Sequence, residues 1–522
     1  MTGTMAPFRP APPEGSDGFA QLLRSEWTKF RTVRGWVIGM LAAALVIVAL
    51  GLLPGMKGSC GQHGPGSACS VAVGPGGEPV SDSFRFVHQP LTGNGSITVR
   101  VTALAGLLPG APAGRDALAG TRRGVAPWAK AGLIIKANLK SGSAYAAVLV
   151  TGSHGVRMQY NYTGDIAGRP GAVSAAPPRW LRLTRAGGTV TGYQSADGTH
   201  WSRLGAVHLA GLPAAVQVGL FTTSPQYTQA AGPSGASGGP TQATAQFDHL
   251  RLQGYGRPAD GGWASTGMGG AVSASPEPDG GFRHDGGSFT VTGSGDIAPA
   301  TSGAAGFGAT IAETLIGTFA GLVAVVVVAA MFVTAEYRRG LIRVTLAASP
   351  RRGRVLAAKA LVTAAAAFAA GLAAAAIVVT FGQRVLRGNG VFVYPASGLT
   401  ELRVIAGTAA VLAVAAVLAL AIGALLRRSA GAVAAVIVVI VLPYLLAVTA
   451  LPVGPARWLL RVTPAAAFAV QQTMPQYPQV SGLYTPAEGF YPLAPWAGFA
   501  VLCGYAAAAL ALAVFLLNRR DA

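Results

Sequence analysis

Six stretches of the chain stay apolar for about the 20 residues that a helix needs to cross a bilayer. They cover residues 36–53, 310–334, 355–381, 401–426, 429–451 and 496–517. The third is rich in alanine, and small side chains let neighbouring helices approach closely, so it reads as buried in a bundle. Between the first and second stretches the period changes. Ile97, Val99 and Val101 alternate with Thr98, Arg100 and Thr102, the pattern of a half-buried strand. Further strands are expected at residues 131–136, 145–150, 156–160, 180–185, 189–195, 217–222 and 246–253. Turn pairs such as Gly187-Gly188 and Asp197-Gly198 punctuate them. Ahead of the first stretch, Phe19, Leu22, Leu23, Trp27 and Phe30 recur at helical spacing among basic residues. That predicts an amphipathic helix lying in the membrane interface.

Composition agrees with a membrane protein and excludes other classes. Charged residues make up 11% of the 522, against about 25% in an ordinary soluble domain. Mean hydropathy is +0.46. A disordered polar chain would need the opposite balance. The formal net charge is +20, which in a soluble protein would suggest nucleic acid. Here the basic residues gather at the ends of apolar stretches, as membrane orientation requires. Abundant arginine, alanine and glycine resemble the usage of a high-GC bacterial genome.

Orientation follows from the short loops. Sixteen Lys and Arg residues fall on one side and five on the other. Both termini are therefore expected in the cytoplasm, with residues 54–309 outside the bacterial cytoplasmic membrane. The first span has a long basic flank and no small-residue cleavage site, so it reads as a retained signal-anchor. Cys60 and Cys69 follow it on the outer side, where a pair most simply closes a local disulfide. A zinc site built from them and His63 lacks any known ligand spacing. The other histidines are dispersed, and no metal site is expected.

The insert carries a resemblance. FRFVHQPLTGNGSITVRV (84–101), WAKAGLIIK (128–136), TVTGYQSADGTHW (189–201), VGLFTTS (218–224) and FDHLRLQG (247–254) are similar to concanavalin A-like, laminin G-like jelly rolls. The tract 261–297, with GSFTVTGSGDI, resembles the opening of such domains. A late strand is thus expected to complete the sheet. Glycosidases of this shape need two carboxylates flanking the sugar bond. The only glutamates in the insert, Glu78 and Glu277, lie outside the central strands, so hydrolysis is not expected. Trp128, Tyr193 and Trp201 are candidate glycan-facing aromatics; core packing is the commoner role for each.

The loop EYRRGLIRVTLAASPRRGRVLAAK (336–359) holds seven basic residues, one acid and a short apolar pattern. A positive-inside loop explains the charge and leaves the apolar pattern unexplained. This loop, EWTKFRTVRGW near the start and RWLLRVTPAAAFAVQQTMPQYPQV (457–480) resemble ABC-2-type permeases, the exporter class of ABC transporters. The resemblance implies an ATPase-coupling segment that includes Glu336, Tyr337, Arg338, Arg339 and Arg343. It also implies short re-entrant helices before the last span. No G-x-x-x-x-G-K-[ST] phosphate loop is present, so ATP belongs to a partner P-loop subunit and this chain binds no cofactor. Six spans are half the usual complement, which implies a second permease copy. Glu313, Glu401 and Arg403 sit near the outer ends of spans, where anchoring or an external salt bridge is expected.

The fold expected is a polytopic α-helical membrane protein with a jelly-roll sandwich between helices 1 and 2. Its parts are a cytoplasmic arm (1–18), an interfacial helix with the first span (19–53) and a linker (54–77). The sandwich (78–300) and the permease spans (301–522) follow. The function expected is the permease subunit of a bacterial exporter; the alternative is a membrane-anchored glycan-binding receptor. Motifs of intramembrane hydrolases are absent.

Overall fold

The computed structural model describes residues 18–57, 71–110, 121–168, 179–230, 236–254, 262–269, 281–301, 309–341, 351–480, 484, 486 and 489–519. The Cys60–Cys69 pair and Arg343 lie outside the described residues.

Among the described residues six helices are long and apolar enough to cross a membrane. An amphipathic helix, α1 (Phe19–Thr32), leads into the first of them, α2 (Arg34–Lys57). The second, α3 (Thr318–Arg338), follows a 3-10 turn at Ile311–Leu315. Then come α4 (Arg352–Gly388), α5 (Gly398–Leu426) and α6 (Ser429–Thr449). A short helix, α7 (Val453–Val462), is followed by a fully buried 3-10 segment, Pro464–Gln471, and by α8 (Pro495–Arg519). The short pieces stand where re-entrant helices were expected.

At 1.5 Å per residue α4 is about 55 Å long, nearly twice the hydrocarbon thickness. It therefore projects past the membrane, which accounts for Arg352 and Arg354 at one end and Arg384 and Arg387 at the other. Helices α2 and α3 meet almost backbone to backbone. A Cβ placed on Gly321 would lie 2.2 Å from Ile47 Cγ1, and one on Gly317 would lie 2.5 Å from the Ile47 carbonyl oxygen. Such small-residue contacts are how helices associate in lipid, where apolar burial gives no advantage over the tails.

Between α2 and α3 stands a β-sandwich. One sheet has eight strands. Its central order is β12 (Ser202–His208), β11 (Thr189–Ser195), β10 (Arg179–Ala186), β4 (Gly95–Pro109), β16 (Gln242–Gly254), β19 (Ser288–Gly293) and β18 (Phe282–Asp285), and β5 (Thr121–Arg123) pairs β4. The late strand β19 does join the sheet, beside β16. The facing sheet has seven strands. They run in the order β17 (Ala264–Met268), β3 (Phe84–Thr92), β13 (Ala215–Thr223), β6 (Lys130–Lys136), β7 (Tyr145–Thr151), β8 (Val156–Tyr160) and β9 (Gly164–Ala167). The core between them is built from alternate residues, among them Ile97, Val99, Leu133, Val148, Leu181 and Val218. A small hairpin of β14 (Tyr227–Ala230) and β15 (Ala236–Gly239) stands apart.

Strands β6 and β7 are buried on both faces. Their second face is covered by a three-stranded sheet: β1 (Ala72–Val73), β2 (Pro79–Asp82) and β20 (Ile297–Pro299). These are the strands by which the chain enters from α2 and leaves toward α3. Two wholly buried lysines at the ends of β6 tie them down. Lys136 Nζ donates to Asp82 Oδ2 at 2.7 Å, to the Tyr162 hydroxyl at 3.1 Å and to the Ser143 carbonyl at 3.2 Å. Lys130 Nζ donates to Asp296 Oδ1 at 2.6 Å and to the Ile297 carbonyl at 2.7 Å. Burial depresses the Lys136 ammonium, and Asp82 only partly restores it. A further contact reaches the helical domain: Gln479 Nε2 donates to the Thr163 carbonyl at 3.1 Å.

Candidate functional site, an ionic junction of three helices

At the end of the bundle away from the sandwich, four charges close into a ring. Lys359 Nζ on α4 donates to Glu26 Oε2 on α1 and to Glu336 Oε1 on α3, each at 2.6 Å. Lys29 Nζ on α1 donates to Glu26 Oε1 at 2.8 Å and to Glu336 Oε1 at 3.2 Å. Two carboxylates alternate with two ammoniums, so the ring is formally neutral. Glu26 and Lys359 are completely buried, Glu336 nearly so, and the Lys29 side chain is 41% exposed. Desolvating one ion costs several kcal/mol, which only close opposite charge offsets. Burial pulls the Lys29 ammonium down, and Glu26 and Glu336 outweigh it, so its pKa stands above the usual lysine value.

The local sequence explains how each group arrives. Glu26 and Phe30 lie four residues apart on the buried stripe of α1. Phe30 packs edge-on against Phe332 of α3 at 5.6 Å between centroids, and Trp36 does the same at 6.0 Å. Lys359 Nζ lies 4.9 Å over the Phe332 ring, so the apolar and ionic contacts share one side chain. Glu336 lies four residues, about one turn, after Phe332, on the same helical face.

Neighbouring contacts brace the same end. Arg427, in the left-handed conformation that ends α5, stands 5.2 Å over the Tyr337 ring. Arg352 Nη1 donates to the Leu517 carbonyl at 2.6 Å, a cation at the last turn of α8. Arg338 and Arg339 are exposed where α3 stops, and Gly340 follows with φ +68°.

The expected coupling residues thus divide. Glu336 and Tyr337 belong to the last turn of α3 and face inward, whereas Arg338 and Arg339 face solvent. Lys359, counted from sequence among the loop's basic residues, is an interior ion. Glu26 drew no attention in the sequence. Its signal was there: the one acid in the basic helix Phe19–Thr32, four residues after Leu22 and four before Phe30.

The apolar residues of α1 divide between the bundle and the outside. Phe30 is buried and Leu23 packs on the core, but Trp27 is 45% and Phe19 38% exposed. Of the two roles expected for three near-interface groups, anchoring or an external salt bridge, the described residues show hydrogen-bonded anchoring and no salt bridge. Glu313 caps the turn before α3 by accepting from the Thr310 N–H at 2.9 Å. Glu401 accepts from Gln383 Nε2 at 3.1 Å, and Arg403 donates to the Gln472 carbonyl.

The three candidate aromatics of the sandwich do not share a surface. Trp128 is 6% exposed and stacks on His154 at 3.8 Å, so its ring has no free face for a sugar on that side. Tyr193 and Trp201 are half-buried on the eight-stranded sheet.

A bundle of six membrane-length helices carrying an inserted sandwich, with an ionic junction at one end, describes a multi-pass membrane protein. Residues 214–522, more than half of the chain, match the family model described as ABC-2 family transporter protein. The chain belongs to that family and is a permease of an ABC transporter. The match begins within the sandwich, at strand β13. No curated protein matches the chain. Solved structures with partial likeness include a functionally unknown protein from Saccharomyces cerevisiae, at 15% identity over 33% of this chain and 75% of that one, with a TM-score of 0.22. Scytalido-glutamic peptidase aligns at 7% identity over 41% of this chain and 98% of its own, with a TM-score of 0.25. The GH43 BlXynB protein from Bacillus licheniformis aligns at 16% identity over 31% of this chain and 28% of its own, with a TM-score of 0.19. Likenesses of that size carry no functional argument.

Proposed function

We propose that this permease works as an exporter driven by ATP hydrolysis in a separate P-loop subunit, which docks at the end of the bundle that carries the ion ring. Both termini stand on the cytoplasmic side in this reading, and the sandwich stands outside. The observation that carries it is the ring itself. One neutral, buried ion cluster joins an interfacial helix, the outlet of α3 and the inlet of α4, so the three cannot be displaced independently without separating charges in a poorly solvated place. A push on the exposed Arg338–Arg339 turn is thereby delivered to α1 and α4 together. The permease acts as a pair of chains, and ATPase closure supplies the work.

The interior of the bundle suits an amphipathic or lipid-like cargo. Most buried residues between its ends are alanine, valine, leucine, isoleucine and phenylalanine, and Gln471 with Thr318 and Thr408 forms a small polar group among them. Charged residues on the described spans lie toward their ends.

The test is affinity capture of the tagged chain from its native membrane, followed by identification of stoichiometric partners. A co-purifying P-loop subunit supports the reading. Replacing Arg338, Arg339 and Arg343 by Glu should then abolish that association while the chain stays inserted. Undiminished association would overturn the docking assignment.

A further inference from the structure

The two sheets of the sandwich present very different outer faces. That of the seven-stranded sheet is filled by β1, β2 and β20. That of the eight-stranded sheet lies on the opposite side of the core from those strands, and no described strand covers it. The register places five side chains of this open face in one row across five adjacent strands: Arg203, Tyr193, Arg182, Thr98 and Arg251. Bulges in β11–β12 and β16 adjust the pairing so that Arg203 and Arg251 fall in this row. Neighbouring strands are about 4.8 Å apart, so the three arginines repeat at about 10 Å.

The adjoining row brings Arg100 and Trp180 together. Asp248 is the acid of this face, and it is taken by Arg100 and by His249 Nδ1 at 3.0 Å. Among the described residues no carboxylate pairs with Arg182, Arg203 or Arg251. At the margin, Asp197 is held by His200 and by the Thr199 and His200 N–H groups. The Arg182 guanidinium stacks 3.9 Å over the Trp201 ring and spends only Nε, on Thr98 Oγ1 at 3.1 Å. Its terminal nitrogens remain as a fork for an anion. Gly198, at φ +82°, lets the turn close onto Trp180; a Cβ there would lie 2.7 Å from that ring.

We infer that this face binds an acidic glycan lying across the strands, its anionic groups on the arginine row and its sugar rings against Tyr193 and the face of Trp201 away from Arg182. The charge selects a polyanion. The interleaved aromatics select sugar rings, whose apolar faces stack on indole and phenol. This inference does not rest on ATPase coupling, because the row is built within the sandwich.

The test measures binding of decameric oligogalacturonate to the full chain in phosphatidylcholine nanodiscs. The fully methyl-esterified oligomer is the uncharged control, and single-stranded DNA of matched charge is the control without sugar-ring selectivity. The expected result is binding to the acid form, at least about tenfold weaker for the ester and for the DNA. The R182Q/R203Q/R251Q variant should lose at least about tenfold, R182K/R203K/R251K should lose less, and Trp201→Ala should weaken the acid form further than the DNA. Equal affinity for ester and acid, equal affinity for DNA, no binding, or full binding by the glutamine variant would each overturn the inference.

Discussion

Lys359 in the helical bundle and Lys136 in the sandwich are both buried ammoniums, and they are held differently. Lys136 has one carboxylate, one hydroxyl and one backbone carbonyl as acceptors, and its Asp82 also accepts the Gly142 N–H at 2.9 Å. Sheet and turn backbone fix that geometry. Lys359 has two carboxylates from two other helices and a phenyl ring. Opposite charge and the side-chain packing around Phe332 hold those helices at that point, with no shared backbone ladder. The first arrangement is a staple within a rigid body. The second is a joint whose parts are separate helices, at the end of the bundle where we propose that the ATPase docks.

The largest effect that separates the two is expected from Lys359→Met. It leaves Glu26 and Glu336 facing each other with Lys29 alone, and should cost about 3–5 kcal/mol of stability in the helical domain. Thermal unfolding in nanodiscs measures it. The Glu26→Gln/Lys359→Met pair should recover much of the loss, since the ring then keeps Lys29 and Glu336. If the double variant is as unstable as the sum of the single ones, the ring is not a coupled unit.

Lys136→Met comes next, at about 3 kcal/mol, because Asp82 keeps the Gly142 N–H. Its effect should be confined to the sandwich, read as faster proteolysis at strands β1, β2 and β20. Cleavage spreading first to the α1–α2 region would contradict the division drawn here.

Smaller effects come from pH. His88 sits between Gln217 and Thr266, with ring nitrogens 2.9 and 3.0 Å from their oxygens. Burial depresses its pKa below the usual value of 6.5. The unfolded chain therefore takes up a proton that the folded chain refuses. Sandwich stability should fall as pH drops below about 6.5, by no more than about 1.4 kcal/mol per pH unit. His88→Gln should flatten that dependence. Lys29 has the opposite sign. Its raised pKa supports the ring in full below 10.5, and that support fades as pH rises through the folded-state pKa. With a side chain 41% exposed, its contribution should be the smallest of the four. Lys29→Gln should leave ATPase association intact and abolish the alkaline part of the unfolding profile.

Much of the architecture was legible in the pattern of residues. Spans are long runs because lipid accepts no unpaired polar backbone. Strand alternation around Ile97, Val99 and Val101 is visible because one face meets the core and the other does not. Strand β6 was legible as a strand but not as one buried on both sides. Nothing in the local spacing of Lys130 and Lys136 marks them as interior, and only the return of β2 and β20 over that face buries them. The ion ring was the least legible feature. Its partners are 307 and 333 positions apart, and neither spacing has any local signature.

The sequence by itself determined the number of spans, the place of the sandwich and its antiparallel character, because each depends on local hydrophobic period. It also showed the exposed arginines that end α3. Tertiary structure alone decided which charges are inside and which sheet face stays open. Those outcomes depend on what is laid against a residue from far along the chain, and the chemistry of Lys359 or Arg203 alone is compatible with either place.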